Sequence, residues 1–448
     1  MKAARVLVTV AAILVVVFAA GFWLLRGPGP TAFAHGPKVA LASYKPGDPT
    51  GAPASLSNAS LVERGEYLAR AADCKVCHTA PGGKEFAGGL GINLPFGTLY
   101  STNITPDGET GIGKYSDQDF LNALHRGRRR DGARLYPAMP FTSYTYISDA
   151  DALAIKAYLF SLAPVRAVVP ANTLMFPFNQ RWATGFWSVM FNRDIRFEPN
   201  TSKSLEWNRG AYLAEALAHC GECHTPRNLA FALDNRKKFA GAVTAGWHAF
   251  NITSDEATGV GAWGDEDLAA YLATGHARGH GTASGPMGEA VDNSFSYLAP
   301  EDIRAVVAYL RSVPAIASSG LPTTLAPAAP SSPRAGHGTR DARGKMVFEG
   351  ACASCHGWTG ESAISPFATL TGAWAVNDPA ATNVAQIVIS GTNRHTPAGA
   401  VSMPAFGDAY SDIEIAEVAN YVTARFGSEG SRLTARDVAE LRKQTSSR

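Results

Sequence analysis

Six cysteines carry the most telling chemistry in this 448-residue chain. They fall as Cys74-Lys75-Val76-Cys77-His78, Cys220-Gly221-Glu222-Cys223-His224 and Cys352-Ala353-Ser354-Cys355-His356, and no cysteine is left over. Two thiols at this spacing share one side of a helical turn. There both can add to the vinyl groups of one porphyrin, while the adjacent histidine turns its imidazole to the iron. C-x-x-C-H is the attachment signature of c-type haem. A redox dithiol would follow a strand and gives no reason for a histidine three times over. A zinc site would bring two pairs close in sequence, whereas these stand more than 100 residues apart. The expected cofactors are three covalently bound haem c groups, with His78, His224 and His356 as proximal ligands.

A haem that only carries electrons keeps both axial positions filled, and a soft thioether favours ferrous iron. Three of the seven methionines stand at equivalent places, after an attachment site and before the helix that closes its unit. They are Met139 in Pro137-Ala138-Met139-Pro140, Met287 in Gly285-Pro286-Met287-Gly288 and Met403 in Val401-Ser402-Met403-Pro404. These are the expected distal ligands. Met175, Met190 and Met346 fit the ordinary role of a core filler. His125, His276, His280 and His395 lie upstream of the three methionines and are the competing ligands, His276 or His280 foremost in the second unit. His219 directly precedes Cys220 and reads as unable to face the iron. His35, His248 and His337 have no partner pattern.

The elements that must hold these residues recur with them. Arg64-Gly65-Glu66-Tyr67-Leu68, Arg209-Gly210-Ala211-Tyr212-Leu213 and Arg343-Gly344-Lys345-Met346-Val347 each begin a helix running into an attachment site. Asn103-Ile104-Thr105 matches Asn251-Ile252-Thr253, and Thr110-Gly111-Ile112-Gly113 matches Thr258-Gly259-Val260-Gly261, so the first two units are the closer pair. Each unit closes with an amphipathic helix: 148–162 with Tyr158, 300–313 with Tyr309, and 411–426 with Tyr421. Ser411 with Glu414, and Ser148 with Asp151, are capping patterns, and Pro300 suits a first helical turn. The expected fold is all-α, three tandem cytochrome c domains at 58–166, 203–316 and 340–427. An aromatic connector (167–202) joins the first two, a Pro-rich linker (317–339) leads to the third and could let it move, and 428–448 is a charged helix or tail. The connector holds Phe176, Phe178, Trp182, Phe186, Trp187, Phe191 and Phe197 among Arg181, Arg193 and Arg196. It suits either simple packing of two domains or an interface with a partner or a headgroup layer. Arg126 and Arg128 to Arg130 form a basic cluster fit for haem propionates, an acidic partner or solvent.

At the N-terminus, Val6 to Leu25 is 20 residues without a charge, behind Lys2 and Arg5. As a helix it would be about 30 Å long, enough to cross a bilayer. The segment 1–26 reads as a transmembrane anchor with its basic end inside, and 27–57 as a Gly/Pro/Ala/Ser spacer. A signal peptide ending near Ala32-Phe33-Ala34 is the alternative, and both export the rest of the chain. Hydrophobic residues at 46% and charged residues at 17% exclude global disorder. A net charge of +2, without a basic stripe, excludes a nucleic-acid partner.

Taken together, the chain resembles the trihaem cytochrome c subunits of bacterial membrane-bound dehydrogenases. These are the alcohol, gluconate, sorbitol and fructose dehydrogenase complexes, with similar cytochromes in molybdenum-dependent aldehyde and nicotinate dehydrogenases. The resemblance runs from about Ser57 to Gly427. It is clearest in the stretch Tyr100 to Asp107, in Tyr136-Pro137-Ala138-Met139-Pro140-Phe141, in Ser143 to Tyr146 and in His224-Thr225-Pro226-Arg227-Asn228. It implies a large catalytic dehydrogenase subunit as electron donor, its substrate oxidised on a flavin, quinone or molybdenum cofactor. It implies ubiquinone or a terminal oxidase as acceptor, and the periplasmic side of the cytoplasmic membrane as the place of work. Serial one-electron hopping is the expected mechanism, with no catalytic residues in this chain. A cytochrome subunit of a terminal oxidase and a haem peroxidase with one open iron are the alternatives.

Overall fold

In the computed structural model, residues 2–44, 53–318, 339–396 and 399–445 are described. A helix, α1 (Lys2–Arg26), comes first. The first unit holds α2 (Leu61–Ala71), the single turn α3 (Cys74–Cys77), a hairpin of β1 (Gly91–Leu94) and β2 (Gly97–Tyr100), then α4 (Asp117–Arg126), α5 (Phe141–Tyr144) and α6 (Asp149–Ser161). After α7 (Ala183–Phe191) the order recurs as α8 (Leu205–Tyr212), α9 (Gly221–His224), β3 (Ala242–Thr244), β4 (Trp247–Ala249) and α10 (Asp265–Thr274). A second small hairpin, β5 (His276–Ala277) and β6 (Gly281–Thr282), then precedes α11 (Gly285–Asn293) and α12 (Pro300–Ser312). The third unit holds α13 (Thr339–Val347), α14 (Ala353–His356), α15 (Trp374–Asn377), α16 (Thr382–Ser390), the hairpin β7 (Thr392–Thr396) and β8 (Gly399–Met403), α17 (Asp412–Phe426) and α18 (Ala435–Thr445). Nearly all of the Pro-rich linker, from 319 to 338, lies outside the described residues, and so does 45–52 of the spacer.

Two expectations are corrected here. The fold is mainly helical but not all-α, because four two-stranded antiparallel hairpins are present among the described residues. Their strands are two to five residues long, too short for an alternating pattern to register in sequence. Local turn chemistry makes them: Ala245 and Gly246 both have positive φ (49° and 77°) between β3 and β4, the twist that suits a two-residue hairpin loop. The transmembrane anchor is the second correction. Among the described residues, no helix is long and apolar enough to cross a membrane. The last turn of α1 is engaged by the protein. Asn228 Nδ2 donates to the Leu25 carbonyl and Arg236 to the Leu24 carbonyl, both at 3.0 Å. Residues 27–44 continue along the connector, where Arg193 holds the Gly27 carbonyl (2.8 Å) and Val39 N–H donates to Pro199 O (3.0 Å).

The repeated Arg-Gly pattern has a packing cause. In each unit the first and last long helices cross in contact: α2 on α6, α8 on α12, α13 on α17. A β-carbon at Gly65 would collide with the Ala154 carbonyl, at Gly210 with the Ala305 carbonyl and at Gly344 with the Glu417 carbonyl. The same hypothetical atom meets the Cβ of Tyr158, Tyr309 and Tyr421 at 3.0, 2.9 and 2.9 Å. Only glycine lets the two backbones approach this closely, and the tyrosine covers the crossing.

Units one and two share one continuous apolar core, including Leu68, Ile147, Ile155, Tyr212, Leu217 and Tyr309. Their polar contacts are reciprocal. Tyr67 of unit one donates to Asp302 Oδ2 of unit two (2.5 Å), and Tyr212 of unit two donates to Asp151 Oδ2 of unit one (2.7 Å). Each hydroxyl also accepts a backbone N–H from the other unit, Ala299 to Tyr67 and Ser148 to Tyr212, both at 3.1 Å. Each aspartate is paired with its own unit's arginine, Arg209 with Asp302 and Arg64 with Asp151. The third copy has Met346 where the tyrosine stands, exposed to solvent, and Arg343 meets Glu417 instead (3.3 Å).

Candidate haem sites

The three attachment histidines are oriented by the same bond. His78 Nδ1 meets the Thr102 carbonyl, His224 Nδ1 the Phe250 carbonyl and His356 Nδ1 the Ala368 carbonyl, each at 2.6 Å. A carbonyl only accepts, so Nδ1 carries the proton and Nε2 is the nitrogen left to bind a metal. Burial lowers the pKa of all three rings, and the carbonyl bond partly opposes it. The imidazoles therefore stay neutral at neutral pH.

The thiols fit a porphyrin better than a redox dithiol. None of the six cysteines is in a disulfide. Burial raises the first thiol of each pair, Cys74 and Cys220 to about 12 and Cys352 to about 11. A redox cysteine needs a stabilised thiolate, and these sites favour the opposite. Among the described residues, no group of three or more His, Cys, Asp or Glu side chains could hold a bare metal ion. The residue before the first cysteine turns the chain from the long helix into the attachment turn: Asp73 (φ 53°) and His219 (φ 39°) both adopt the left-handed conformation.

The backbone behind each histidine explains the Asn-Ile-Thr repeat. Asn103 Nδ2 donates to the Val165 carbonyl (2.7 Å) and its Oδ1 accepts the Thr105 N–H (2.9 Å). Asn251 does the same with Ile316 O (2.7 Å) and Thr253 N–H (2.8 Å). Each buried asparagine thus ties the loop carrying the histidine-orienting carbonyl to the chain leaving the closing helix. The motif was visible in sequence. The orienting role of Thr102 and Phe250 was missed, although both directly precede it. Ala368 had no such signal.

The expected distal methionines sit in three different local structures. Met139 lies in a turn, its N–H donating to Tyr136 O (3.0 Å), Met287 lies in α11 and Met403 ends β8. All three are half-buried. Met139 and Met287 pack against the core that also receives Cys74 and Cys220, whereas Met403 packs against none of the three apolar clusters.

Two of the four competing histidines, His276 and His280, are engaged elsewhere. His276 Nδ1 contacts Thr282 Oγ1 (2.9 Å), and its ring packs on Phe367 (4.9 Å). His280 stacks on Trp263 (3.8 Å between ring centroids). His219 is edge-on to Tyr144 (5.5 Å), and His248 Nδ1 meets the buried Asp378 (2.8 Å). His125 is buried with Nε2 unpartnered, and burial pushes its pKa down to about 4. Most of the basic cluster meets this chain's own acids: Arg126 with Asp194 (2.8 Å), Arg129 with Asp131 (2.9 Å) and Arg130 with Asp119 (3.9 Å).

Units one and two meet at their sites. The α5 segment, just past Met139, contacts the helix entering Cys220, and α11, which carries Met287, contacts α3. The third unit docks on the second through Arg394 with Asp292 (2.8 Å), Asn383 with the backbone of His248, and the ring of Trp374 edge-on to Phe250 (5.5 Å) and Trp263 (5.1 Å).

Cysteine pairs on short turns behind a glycine-mediated helix crossing, each followed by a histidine whose Nδ1 is held by a backbone carbonyl, define a c-type cytochrome. Comparison with known proteins narrows the class. Residues 62–163 match the family model "Cytochrome c", and residues 339–422 match "Cytochrome C oxidase, cbb3-type, subunit III". The chain is 40% identical over 425 residues to the fructose dehydrogenase cytochrome subunit of Gluconobacter japonicus, covering 89% of this chain and 85% of that one. It is 38% identical over 406 residues to the gluconate 2-dehydrogenase cytochrome c subunit of Pantoea cypripedii, covering 86% and 90%. It is also 40% identical over 376 residues to a nicotinate dehydrogenase subunit of Pseudomonas putida, covering 83% of this chain but spanning only 31% of that longer protein. The chain belongs to the family of cytochrome c subunits of dehydrogenase complexes.

Proposed function

We propose that this chain is a trihaem electron-transfer subunit. It receives electrons from a large catalytic dehydrogenase subunit of the flavin, quinone or molybdenum type, and delivers them to ubiquinone or the respiratory chain on the periplasmic side of the cytoplasmic membrane. The observation that carries the count of three is the Nδ1–carbonyl bond, repeated at His78, His224 and His356. Bound there, haem c supplies one-electron chemistry through the ferrous–ferric couple of its iron. Cys74 with Cys77, Cys220 with Cys223, and Cys352 with Cys355 hold the porphyrins as thioethers. His78, His224 and His356 ligate through Nε2, their rings locked by the carbonyls. Met139, Met287 and Met403 are the distal ligands, and their thioethers favour the reduced state. Relatives that are cytochrome subunits of fructose and gluconate dehydrogenases support the partner.

The match of 339–422 to an oxidase subunit model favours a second reading, a cytochrome subunit of a terminal oxidase. One experiment separates the two and tests the first. The chain is tagged at its C-terminus, purified gently from its native source, and its partners are identified by mass spectrometry while its haem is counted by pyridine haemochrome assay. Three haems per chain with a cofactor-bearing dehydrogenase subunit is the expected result. Oxidase subunits in its place would move the chain to the terminal end of respiration, and two haems per chain would refute the count.

A further inference from the structure

Of the three expected distal methionines, Met403 alone packs against no apolar cluster, so something else must hold it. The chain just after it is fixed by its own unit. Phe406 N–H donates to the Val388 carbonyl (2.9 Å) and Gly407 N–H to the Ile389 carbonyl (3.1 Å), both in α16. The chain before it is β8, which pairs only with β7, Met403 standing opposite Thr392. Among the described side chains of these two strands, Arg394 alone is buried, at 3% exposed. It stands opposite Val401, two residues along β7 from the partner of Met403.

Arg394 is buried in the second unit. Its Nε (3.1 Å) and Nη2 (2.8 Å) donate to Asp292 Oδ1 at the end of α11. Nη2 also donates to the Thr274 carbonyl (3.1 Å) and Nη1 to the Gly275 carbonyl (3.4 Å). Those two carbonyls close α10, the end of a helix where a cation is favoured. The other oxygen of Asp292 accepts the His395 N–H (3.1 Å), so this carboxylate holds both the side chain and the backbone of β7.

The slot is shaped for a guanidinium. A β-carbon at Gly275 (φ 72°) would collide with the nitrogens of Arg394, and one at Gly288, the residue after Met287, would stand 3.3 Å from its Cδ. All three guanidinium nitrogens are engaged, and a planar group held on that many sides has its direction fixed as well as its position. A buried charge that loses its partner is strongly destabilised. The hairpin that ends in Met403 is therefore anchored in unit two.

We propose that Arg394 is the positioning residue for the distal ligand of the third site, an inference that rests on the ligand role proposed above for Met403. By locking β7 into the slot of unit two, it keeps β8 and Met403 in place, and the third site is complete only while unit three is docked. Met287 needs no such help, because it lies in α11 and packs on the shared core. Groups that orient a metal ligand typically carry about 10- to 100-fold of its affinity.

The test uses the full-length, haem-loaded chain. Arg394→Ala, Arg394→Lys and Asp292→Asn are compared with wild type, and Met403→Ala and Met287→Ala give the signatures of the third and second sites. Absorption and EPR spectra report the high-spin fraction, and a redox titration the midpoint potentials. Hydrogen exchange at the Trp374 amide, which donates to the His280 carbonyl (3.1 Å), reports docking through a separate contact. Arg394→Ala and Asp292→Asn should weaken the hold on Met403 about tenfold or more. Each then shows part of the high-spin signal and lowered potential of Met403→Ala, with haem content unchanged. Arg394→Lys keeps the charge without the planar fork and shows less of both. Asp292→Asn preserves shape and lies outside unit three, so it carries the test if Arg394→Ala loses haem. An all-low-spin spectrum with unchanged potentials in Asp292→Asn overturns the proposal. If the Trp374 amide exchanges faster in that same variant, Arg394 is a docking contact and nothing more. A signal matching Met287→Ala in place of Met403→Ala overturns it too. A wild-type spectrum in Met403→Ala removes the ligand assignment and this inference with it, whereas an altered spectrum there beside unaltered ones in the Arg394 and Asp292 variants removes the inference alone.

Discussion

Removing one hydroxyl from the reciprocal clasp is a sharp probe of how the first two units are joined. Tyr67→Phe deletes the donor to Asp302 Oδ2 (2.5 Å) and the acceptor for the Ala299 N–H (3.1 Å), at a site where Asp302 is 1% exposed. A hydrogen bond to a charged group contributes about 2 kcal/mol, and a buried N–H left without an acceptor costs about 1 kcal/mol more. The ring itself still fits, so no cavity term enters. The expected loss is about 3 kcal/mol, or about 1 M in urea midpoint for a slope near 3 kcal/mol/M. Tyr212→Phe removes the mirror-image pair, Asp151 and the Ser148 N–H, and should cost the same. Met346, at the equivalent place in the third unit and 64% exposed, supplies the control: Met346→Ala should change little. The assay is urea unfolding of the haem-loaded chain followed by tryptophan fluorescence. If either tyrosine variant unfolds within 0.2 M of wild type, about 0.6 kcal/mol on the same slope, the clasp does not join the units as argued.

Met139→Ala, Met287→Ala and Met403→Ala should each open one iron, add a high-spin fraction to the absorption and EPR spectra and lower one midpoint potential. An all-low-spin spectrum with unchanged potentials in any of the three removes that methionine from the ligand set. Gly65→Ala, Gly210→Ala and Gly344→Ala should each cost about 2–3 kcal/mol, because each β-carbon collides with a carbonyl of the facing helix; thermal unfolding of the three variants checks this, and a neutral substitution would mean that the crossing can open. His125 is buried and held to a pKa of about 4, while an unfolded histidine titrates near 6.5. The unfolded chain therefore binds more protons between these values. Stability should fall as pH drops from about 6.5 towards 4, by up to about 3 kcal/mol. His125→Gln should flatten that slope in a pH series of urea midpoints, and an unchanged slope would assign the acid sensitivity to other groups.

What sequence could reveal was set by how local each signal is. C-x-x-C-H packs its chemistry into five adjacent residues, so three copies stand out with no structure at all. The Arg-Gly and Asn-Ile-Thr repeats were also visible, but their purposes were not. Gly65 is needed because of Ala154, and Asn103 because of Val165, each more than 60 residues away. The clasp was invisible for the same reason, Tyr67 and Asp302 being 235 residues apart. The hairpins escaped because β5 and β6 are two residues each, below any periodic signal. The N-terminal expectation rested on a count of charge-free residues, and among the described residues no helix is long and apolar enough to cross a membrane. The connector stayed ambiguous in sequence because both readings were partly right, with Phe197 packed inward and Phe176 facing out.

The three units are not three equivalent beads. Units one and two exchange a tyrosine for an aspartate in both directions and share an unbroken core, an arrangement with approximate two-fold character. Its consequence is that the two sites lie near the joint: α11, which carries Met287, meets the attachment turn of unit one, and α5 of unit one meets the helix that enters Cys220. The third unit lacks the tyrosine and has cores of its own. It meets the second through the buried Arg394–Asp292 pair, the backbone around His248 and the ring of Trp374. The Phe250 whose carbonyl orients His224 is the residue whose ring meets Trp374, so the third unit leans on the loop that orients His224. A perturbation at that joint meets Phe250, whose carbonyl holds the His224 imidazole, while the first unit's His78 is held by Thr102.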